Sequence, residues 1–373
     1  MPLEKSISRG HSLGLVNSHR YRLRLDCHDL HPSEFDVRGQ PQHIVVPPRS
    51  RVGVRYRLRP PARGRFAFDG CDLALYSPFG LWRQRRRLRL PQPIRVYPNF
   101  AEISHYTLMA ANDQLALLGV RRRPRRGVGT ELHQLRDYRR GDALRQIDWK
   151  ATSRMRRLIA RDYEDERDQR VLFLLDCGRR MRHVDASGRG HLDQALNAVL
   201  LLAYVAVHQG DAVGLMTYGG PRRWLAPRKE LGTVRRLLEA VYDLQPSLQA
   251  ADPLAAAREL MQRQPRRALV VIATNSRDED HPELLEAVKV LRRRHRVVVA
   301  DLREASLDDA ITAPIDQRAQ ALRFHAVHGY LDDRRRHHGR LRHLGVPVLD
   351  LLPRQLPIAL VNQYFSLKRA GSL

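Results

Sequence analysis

The chain has 373 residues, 43% of them hydrophobic, and carries 66 basic against 40 acidic side chains, a formal net charge of +26. The length exceeds what one hydrophobic core usually supports, so two domains are expected, and the apolar fraction excludes a globally disordered chain. Only five of the basic residues are lysines and 6% of all residues are aromatic, so general surface charge is favoured over a nucleic-acid site built on stacked bases.

The cysteines and the apolar stretches indicate the cellular compartment of the protein. Cys27, Cys71 and Cys177 are far apart in the sequence, which excludes a zinc pair or a disulfide framework and indicates a reducing compartment. Residues 1–18 lack the apolar core of a secretory signal, and the apolar stretch 195–207 is too short to cross a bilayer. We therefore expect a cytoplasmic protein.

The first hundred residues have the pattern of short antiparallel strands. Apolar and charged side chains alternate, and turn residues such as Asp69-Gly70 and Ser77-Pro78 interrupt them at short intervals, which predicts a small β-sandwich over residues 1–100. The predicted strands cover residues 21–26, 51–59, 63–69, 72–77 and 86–98.

Residues 101–130 are less regular and end in "VRRRPRRGVG". Arginines that flank a proline repel one another and resist burial, so we expect an exposed linker. A tail that binds nucleic acid is the alternative for this segment.

Residues 131–373 alternate between strands and helices. Continuous apolar runs predict buried parallel strands, and the longer periodic segments between them predict helices. The solution for such an order is a mainly parallel sheet with helices on both faces, an α/β domain. The predicted strands are 158–164, 171–176, 212–219, 267–275, 296–302 and 346–352.

Asp176 is the sharpest candidate for chemistry, because it ends a buried strand of an α/β sheet, where ligands bind. Neither a dinucleotide fingerprint nor a phosphate loop is present. Ser187 and Ser276 have no obvious His and Asp partners in the sequence. A group of histidines follows no fixed ligand spacing and is interpreted as solvated helix residues; it comprises His325, His328, His337, His338 and His343, near Asp332 and Asp333.

The strand that ends in Asp176, the apolar helix after it and the β/α alternation resemble a von Willebrand factor type A domain. Members with a working metal site carry D-x-S-x-S at this point, followed later by a Thr and a second Asp. Here Gly178 and Arg180 replace the two serines, Ala250 and Ala251 stand near the Thr position, and Asn275 replaces the later Asp. Because Mg²⁺ requires hard oxygen ligands, we predict no metal and no cofactor.

The segment "GTELHQLRDYRRGDALRQIDWKATSR", residues 129–154, resembles the signature of a bacterial family called domain of unknown function 58. The family pattern is close to G-x-E-F-x-x-L-R-x-Y-x-x-G-D-x-x-R-x-I-D-W, with Leu132 here in place of Phe. The sequence "YSPFGLWRQRRRLRLPQPIRVYP" also resembles the family's "DPFGL" region. The matching signature positions are Gly129, Glu131, Leu135, Arg136, Tyr138, Gly141, Asp142, Arg145, Ile147, Asp148 and Trp149.

The resemblance implies a von Willebrand A-like fold and a non-enzymatic adaptor or scaffold that works with a MoxR-type AAA+ ATPase in protein assembly or maturation. Members usually begin with two membrane-spanning helices, so membrane association is expected only for a form with a further N-terminal segment. An arginine-mediated nucleic-acid-binding protein and a metal-dependent adhesion module are the alternative functions.

The signature also has a physical interpretation. Gly141-Asp142 predicts a turn that leads into a helix with an apolar stripe formed by Leu144, Ile147, Ala151 and Met155, and Arg145 is spaced to pair with Asp148. The segment is then either a hydrogen-bonded brace with Trp149 as a packing anchor, or a surface that recognises a partner. Catalysis is disfavoured, because no titratable pair has a partner that indicates a perturbed pKa.

Overall fold

The computed structural model describes residues 13–54, 56–98, 131–138, 147–164, 169–186, 188–230 and 232–371, with backbone alone at 131–136 and 161–164. The chain divides into two compact units, Met1–Ser104 with Leu238–Leu244, and His105–Leu237 with Gln245–Leu373. The arginine-rich segment 101–130, predicted to be a linker, lies outside the described residues.

The described part of the first unit contains eight strands. Its main sheet has four antiparallel strands in the order β4-β2-β7-β8, and two further ribbons pair β1 with β5 and β3 with β6. The strands are β1 Leu13–Val16, β2 Leu23–Leu30, β3 Asp36–Arg38, β4 Gln42–Val46, β5 Arg51–Val54, β6 Arg57–Arg59, β7 Gly64–Tyr76 and β8 Arg83–Val96.

Each ribbon buries its apolar side chains against the four-stranded sheet. Leu15 and Val54 of the β1-β5 ribbon join a core with Leu25 and Cys27. Phe68 belongs to a second core, which also contains Ile94, Val96 and, at its edge, Val37 and Leu58 of the β3-β6 ribbon. The predicted β-rich, sandwich-like first part of the chain is confirmed.

Two predicted strands are in fact one. The expected turn at Asp69-Gly70 is a bulge within β7, where the pairing with β8 shifts between Phe68 and Gly70. Gly70 has φ +131°, and a Cβ atom there would lie 1.9 Å from the carbonyl oxygen of Leu88. Glycine therefore allows a close backbone approach inside a strand, and a turn residue is not by itself a chain reversal. Conversely, the strand predicted over 51–59 is divided between β5 and β6.

The second unit contains the α/β sheet and its helices. An antiparallel ribbon of β9 and β10 precedes a six-stranded sheet in the order β13-β12-β11-β14-β15-β16. The strands are β9 Glu131–Asp137, β10 Ile159–Glu164, β11 Arg170–Asp176, β12 Ala212–Tyr218, β13 Trp224–Arg228, β14 Leu269–Thr274, β15 Arg296–Leu302 and β16 Val348–Leu351. The described helices are α1 Trp149–Met155, α2 His191–His208, α3 Thr233–Val241, α4 Pro253–Arg263, α5 His281–Arg292, α6 Ala305–Thr312, α7 Arg318–His343 and α8 Leu356–Arg369. The last residues of α3, from Leu238, are assigned to the first unit.

Five of the six sheet strands are parallel and only the edge strand β13 is antiparallel. One face packs against α4, α5 and α7 through residues such as Leu260, Leu291 and Leu341. The other face carries α2 and α8, which pack against each other. The predicted mainly parallel sheet with helices on both faces is confirmed.

Helix α2 explains why an apolar run of this kind belongs to a globular core. Fourteen of its 18 residues are buried, because it lies between the sheet and α8. None of the helices in the described residues has both the length and the apolarity that a bilayer crossing requires.

Candidate functional site

Three neighbouring parallel strands end together and bring polar residues to one edge of the sheet. The register aligns Leu175 of β11 with Ala273 of β14, and Thr274 with Asp301 of β15. Asp176, Thr274 and Asp301 therefore lie at the carboxyl ends of adjacent strands, where open α/β sheets bind ligands.

Asp176 is buried and both of its carboxylate oxygens already accept hydrogen bonds. The backbone N–H of Gly178 donates to Oδ1 at 2.7 Å, and the hydroxyl of Thr274 donates to Oδ2, also at 2.7 Å. Burial outweighs these two hydrogen bonds and raises the pKa of Asp176 to about 6, because a desolvated carboxylate is disfavoured in its charged form.

The space in front of Asp176 is filled by the chain itself. A Cβ atom on Gly178 would lie 3.0 Å from the carbonyl oxygen of Gln249 and 3.1 Å from the methyl group of Ala251. Arg179 donates its backbone N–H to Gln249 at 2.9 Å, and Gly219 has φ +72° with an equally confined Cβ position. A serine at position 178 would need this loop to move.

Arg180 and Asn275 are also drawn into the edge of the sheet. The guanidinium of Arg180 forms ion pairs with Glu279 at 2.8 Å and Asp280 at 3.3 Å. Asn275 is buried, and its amide donates to the carbonyl of Arg180 and to Glu304, both at 3.4 Å. The structure thus brings together Asp176, Gly178, Arg180 and Asn275, which the sequence had placed at one site.

These residues do not fit a divalent cation. The Asp176 oxygens are engaged, the first serine position is a glycine packed against Ala251, and a guanidinium stands at the second. Across the described residues, no three His, Cys, Asp or Glu side chains are grouped so that they could hold a metal ion. Since Mg²⁺ needs about six oxygen ligands, this edge offers too few.

A second polar cluster, which sequence analysis missed, lies beside this crevice around Asp301. Its carboxylate accepts hydrogen bonds from Ser276, through the N–H at 2.8 Å and the hydroxyl at 2.6 Å, and lies 2.8 Å from His338 Nε2 and 3.1 Å from Arg334 Nη2. Burial opposes ionisation, but the Arg334 charge and these hydrogen bonds hold the pKa of Asp301 well below its usual range. The only sequence signal is the i, i+4 spacing of Arg334 and His338 on α7.

Ser276 therefore does have His and Asp neighbours, contrary to the sequence interpretation. The carboxylate stands between the two, however, so the hydroxyl donates to Asp301 and not to a histidine base. Ser276, Asp301 and His338 are all buried. Ser276 therefore has no histidine base within hydrogen-bond distance of its hydroxyl. The cluster instead connects β15 and the residues after β14 to helix α7.

Two of the histidines expected to be solvated are buried. His337 stacks on His281 with ring centroids 3.9 Å apart and planes 4° apart, and His338 belongs to the Asp301 cluster. Burial lowers the pKa of His337 to about 3, so this ring is neutral at physiological pH. His325, His328 and His343 are not buried, so the expectation holds for them and is wrong for the pair at 337 and 338.

The signature segment is described in part. Gly129, Gly141, Asp142 and Arg145 lie outside the described residues, and of Glu131 and Arg136 only the backbone, in β9, is described. Tyr138 donates its backbone N–H to Leu158 at 2.9 Å, and Asp148 donates its own to Ile159 at 2.9 Å. These bonds tie the end of β9 and the start of α1 to the chain around β10.

The turn predicted at Gly141-Asp142 and the stripe residue Leu144 lie outside the described residues, and the described helix of the signature begins at Trp149. Asp148 is its N-cap, with a side-chain oxygen that accepts from the N–H of Ala151 at 3.0 Å. Ile147 precedes the helix and is buried in an isolated bridge with Ala160, so it does not belong to a helical stripe. Trp149 is 67% exposed and Met155 is 55% exposed, which is incompatible with a tryptophan that anchors packing within this chain.

The strand order defines the class of this domain. Numbered within the sheet, it is 3-2-1-4-5-6 with an antiparallel edge strand and helices on both faces, a doubly wound α/β arrangement. Together with the buried strand that ends in Asp176, this arrangement is a von Willebrand A-like α/β fold.

The family follows from comparison with known sequences. The model of the family described as protein of unknown function DUF58 matches residues 134–322, just over half of the chain, and the protein belongs to this family. The chain is also similar to the uncharacterized protein YeaD of Bacillus subtilis (strain 168), with 23% identity over 277 residues that cover 70% of this chain and 62% of YeaD. The match thus spans less than two thirds of that relative.

Three solved structures have partial similarity. An aerotolerance-related membrane protein from Bacteroides fragilis NCTC 9343 is 19% identical, with a TM-score of 0.28, and the match covers 36% of this chain and 67% of that one. A manganese-loaded TRAP protein of Plasmodium vivax is 15% identical, with a TM-score of 0.27 and coverage of 40% and 65%. A von Willebrand factor type A protein from Catenulispora acidiphila is 14% identical, with a TM-score of 0.31 and coverage of 58% and 43%.

We predict that the protein does not bind Mg²⁺ or Mn²⁺ at the Asp176 edge. Isothermal calorimetry with either ion should give no saturable heat, because the carboxylate oxygens are engaged and Gly178 and Arg180 stand where the two serine hydroxyls would be. Saturable binding that is lost in Asp176→Ala would contradict this prediction.

We predict that Asp176→Asn stabilises the protein at neutral pH. The raised pKa means that the Asp176 contribution to stability is complete below its unfolded value of 3.8 and is lost as the pH rises through about 6. Asn stays neutral, so the variant should match the wild type near pH 4 and exceed it by up to about 3 kcal/mol above pH 7, as measured by urea denaturation. Asp309→Asn, at an exposed carboxylate, is the control, and a less stable Asp176→Asn at neutral pH would refute the argument.

We predict that Arg334→Met strongly destabilises the second unit. The side chain is fully buried and pairs with Asp301 and Asp350, each at 3.1 Å, so its loss leaves the buried carboxylate of Asp301 and the partly buried carboxylate of Asp350 without this cation. The expected loss is about 3–5 kcal/mol in the free energy of unfolding. Arg335→Met, at the exposed neighbouring position, should change it by less than about 1 kcal/mol; equal effects of the two variants would show that the cluster is not needed.

Proposed function

We propose that this protein is a non-enzymatic adaptor of the cytoplasm that works with a MoxR-type AAA+ ATPase in the assembly or maturation of other proteins. The class of partner and the process come from the family resemblance. The observation that carries the adaptor role is the exposure of the signature helix: Trp149 is 67% exposed, and none of the side chains of α1 is buried.

The geometry around α1 favours a rigid contact surface. The helix is fixed by its cap at Asp148 and by the hydroxyl of Thr152, which accepts the N–H of Ile159 at 3.0 Å. Beyond the helix, Arg157 pairs with Asp137 of β9 at 3.2 Å. These polar contacts hold the backbone and leave the apolar side chains outside.

The exposed side chains are of the types that dominate protein interfaces. Trp149, Met155 and Leu158 are 67%, 55% and 46% exposed within one ten-residue segment. Tryptophan and methionine are enriched where proteins bind one another. The two interpretations of the signature are then compatible. Hydrogen bonds of Asp148 and Thr152 hold α1 in place, and the exposed apolar side chains of the same segment form the proposed contact surface.

The carboxyl edge of the sheet supports a role without catalysis. Asp176 is engaged by Gly178 and Thr274, and Asp301 by Ser276, Arg334 and His338. A general base needs access to a substrate proton, and both carboxylates are buried within hydrogen-bonded clusters. Contacts with other proteins are the activity that this arrangement leaves open.

We predict that Trp149→Ala weakens binding to the MoxR-type ATPase of the same genome by about thirtyfold, the effect of removing a hot-spot residue worth about 2 kcal/mol. The urea midpoint should stay within error of the wild type, because the side chain is largely exposed. Affinity is measured by calorimetry with the purified ATPase. Leu248→Ala, at a residue that is 76% exposed outside the signature, is the matched control.

A further variant separates the two interpretations of the signature. Asp148→Ala removes the N-cap and should cost about 1 kcal/mol of stability, with a loss of affinity that follows from disorder of α1. If Trp149→Ala lowers the urea midpoint as much as Asp148→Ala does and leaves affinity unchanged, the tryptophan has a structural role and the adaptor surface proposed here is wrong.

A further inference from the structure

The tip of the β7-β8 hairpin is a small apolar projection. Phe79, Leu81 and Trp82 are 88%, 84% and 61% exposed, and they lie within four consecutive residues. Isolated exposed apolar residues are ordinary on protein surfaces, but three large ones on a single loop form a patch that marks a binding surface.

The backbone of this loop is held in one conformation. Ser77 and Trp82 close it through the N–H of Ser77 and the carbonyl of Trp82 at 3.0 Å, and the N–H of Gly80 donates to Ser77 at 2.9 Å. Pro78 and the positive φ of Gly80, +71°, satisfy the needs of the turn. The turn requires Pro78 and Gly80, but its conformation does not depend on the side chains of Phe79 and Leu81.

Arginines follow the apolar tip directly along β8. Because a strand rises about 3.3 Å per residue, Arg83 and Arg85 lie within about 10 Å of Trp82 along the strand, and Arg86 within about 13 Å. Arg87 is paired with Asp72 at 2.7 Å and Arg83 lies 3.9 Å from Asp26. Within the described part of the chain, Arg85, Arg86 and Arg89 form no ion pair.

Protection of the sheet edge explains only half of this pattern. β8 is an edge strand of its sheet, and charged residues on an edge strand prevent pairing with another chain. That role accounts for the arginines. It does not account for three large apolar side chains at the end of the same strand, which would favour aggregation.

We propose that the β7-β8 hairpin docks on an anionic lipid surface, with Phe79, Leu81 and Trp82 inserted at the boundary between headgroups and acyl chains. The headgroup layer of one leaflet is about 5–8 Å thick, and the surface potential decays within a Debye length of about 8–10 Å. Arg83 and Arg85 lie within about 10 Å of Trp82 along the strand, which is comparable with both lengths. They would therefore lie among the anionic headgroups when the tip is inserted. A convex tip with a basic collar suits a lipid surface, which needs no complementary shape.

Residues at the base of the tip support this arrangement. Tyr76 stands opposite Arg83 in the register of the two strands, with the guanidinium 6.0 Å from the centre of its ring. Its hydroxyl donates to Asp26, and Asp26 is also 2.8 Å from His43. The negative charge of Asp26 is therefore offset by the guanidinium of Arg83, 3.9 Å away. This inference concerns the first unit and does not rest on the adaptor proposal.

The test uses the whole protein and vesicles of phosphatidylcholine with or without phosphatidylserine. The protein should sediment with the anionic vesicles and release in high salt. The variant with Phe79→Ser, Leu81→Ser and Trp82→Ser should bind at least about 100-fold more weakly, because each apolar side chain contributes about tenfold or more. Its urea midpoint should be unchanged, since all three side chains are exposed.

Matched controls separate the hairpin from general charge and apolarity. Leu248→Ser with Leu322→Ser removes two side chains that are 76% and 62% exposed and should leave binding unchanged. Arg85→Gln with Arg86→Gln should weaken binding by about tenfold or more, because each arginine near the surface contributes about fivefold. Arg292→Gln with Arg293→Gln removes the same charge from the exposed end of α5 and should have little effect.

The fluorescence of Trp82 gives a direct readout of insertion. Brominated phosphatidylcholine in the anionic vesicles should quench emission in the wild type and in Trp149→Phe, but not in Trp82→Phe. Equal loss of binding in both arginine pairs, or quenching that survives Trp82→Phe, overturns the proposal. So does the absence of vesicle binding together with a tip-dependent dimer, which would identify a second copy of this chain as the occupant.

Discussion

The engagement of both carboxylate oxygens of Asp176 is the constraint on which the carboxyl edge of this sheet depends. In a doubly wound sheet the residue at this point faces the crevice where ligands are held. Here Gly178 and Thr274 donate to it and the loop at Gln249 and Ala251 closes over it. Burial then raises the pKa of Asp176 to about 6, the reverse of what a bound cation would do. Asp176, Thr274 and Asn275 at this edge are all buried.

Charge is still concentrated at this edge, but it is neutralised within the chain. Asp301 and Asp350 face Arg334 and His338, and Arg180 faces Glu279 and Asp280. A buried ion pair contributes little net stability compared with a well-packed apolar core, and its loss on one side is costly. The cluster around Asp301 therefore fixes how α7, β15, β16 and the loop after β14 meet.

The sequence was sufficient for the periodic elements and insufficient for the contacts between them. Continuous apolar runs such as 171–176 and 269–274 placed the sheet, because burial on both faces leaves a direct trace in composition. Asp176, Gly178, Arg180 and Asn275 could be assembled from the end points of strands. The Asp301 cluster could not, because Ser276, Asp301 and Arg334 are distant in sequence and only the sheet register brings them together. The bulge at Gly70 and the N-cap at Asp148 were misjudged for a related reason: glycine and aspartate have the same local signal in a turn, a bulge and a cap.

The signature combines charged and aromatic residues because they have different roles. Polar side chains hold the backbone of α1 in place, and the aromatic side chain of Trp149 lies on the surface. A short helix that packs no side chain into a core cannot be held by hydrophobic burial, so caps and hydrogen bonds must define its position, and Asp148, Thr152 and the N–H of Tyr138 do so. Once those groups fix the backbone, Trp149 can remain outside without loss of order. The hairpin tip obeys the same logic, since Ser77, Pro78 and Gly80 define the turn while Phe79 and Leu81 stay exposed. In both places hydrogen bonds of the backbone and of polar side chains hold the chain in place, and the large apolar side chains remain exposed.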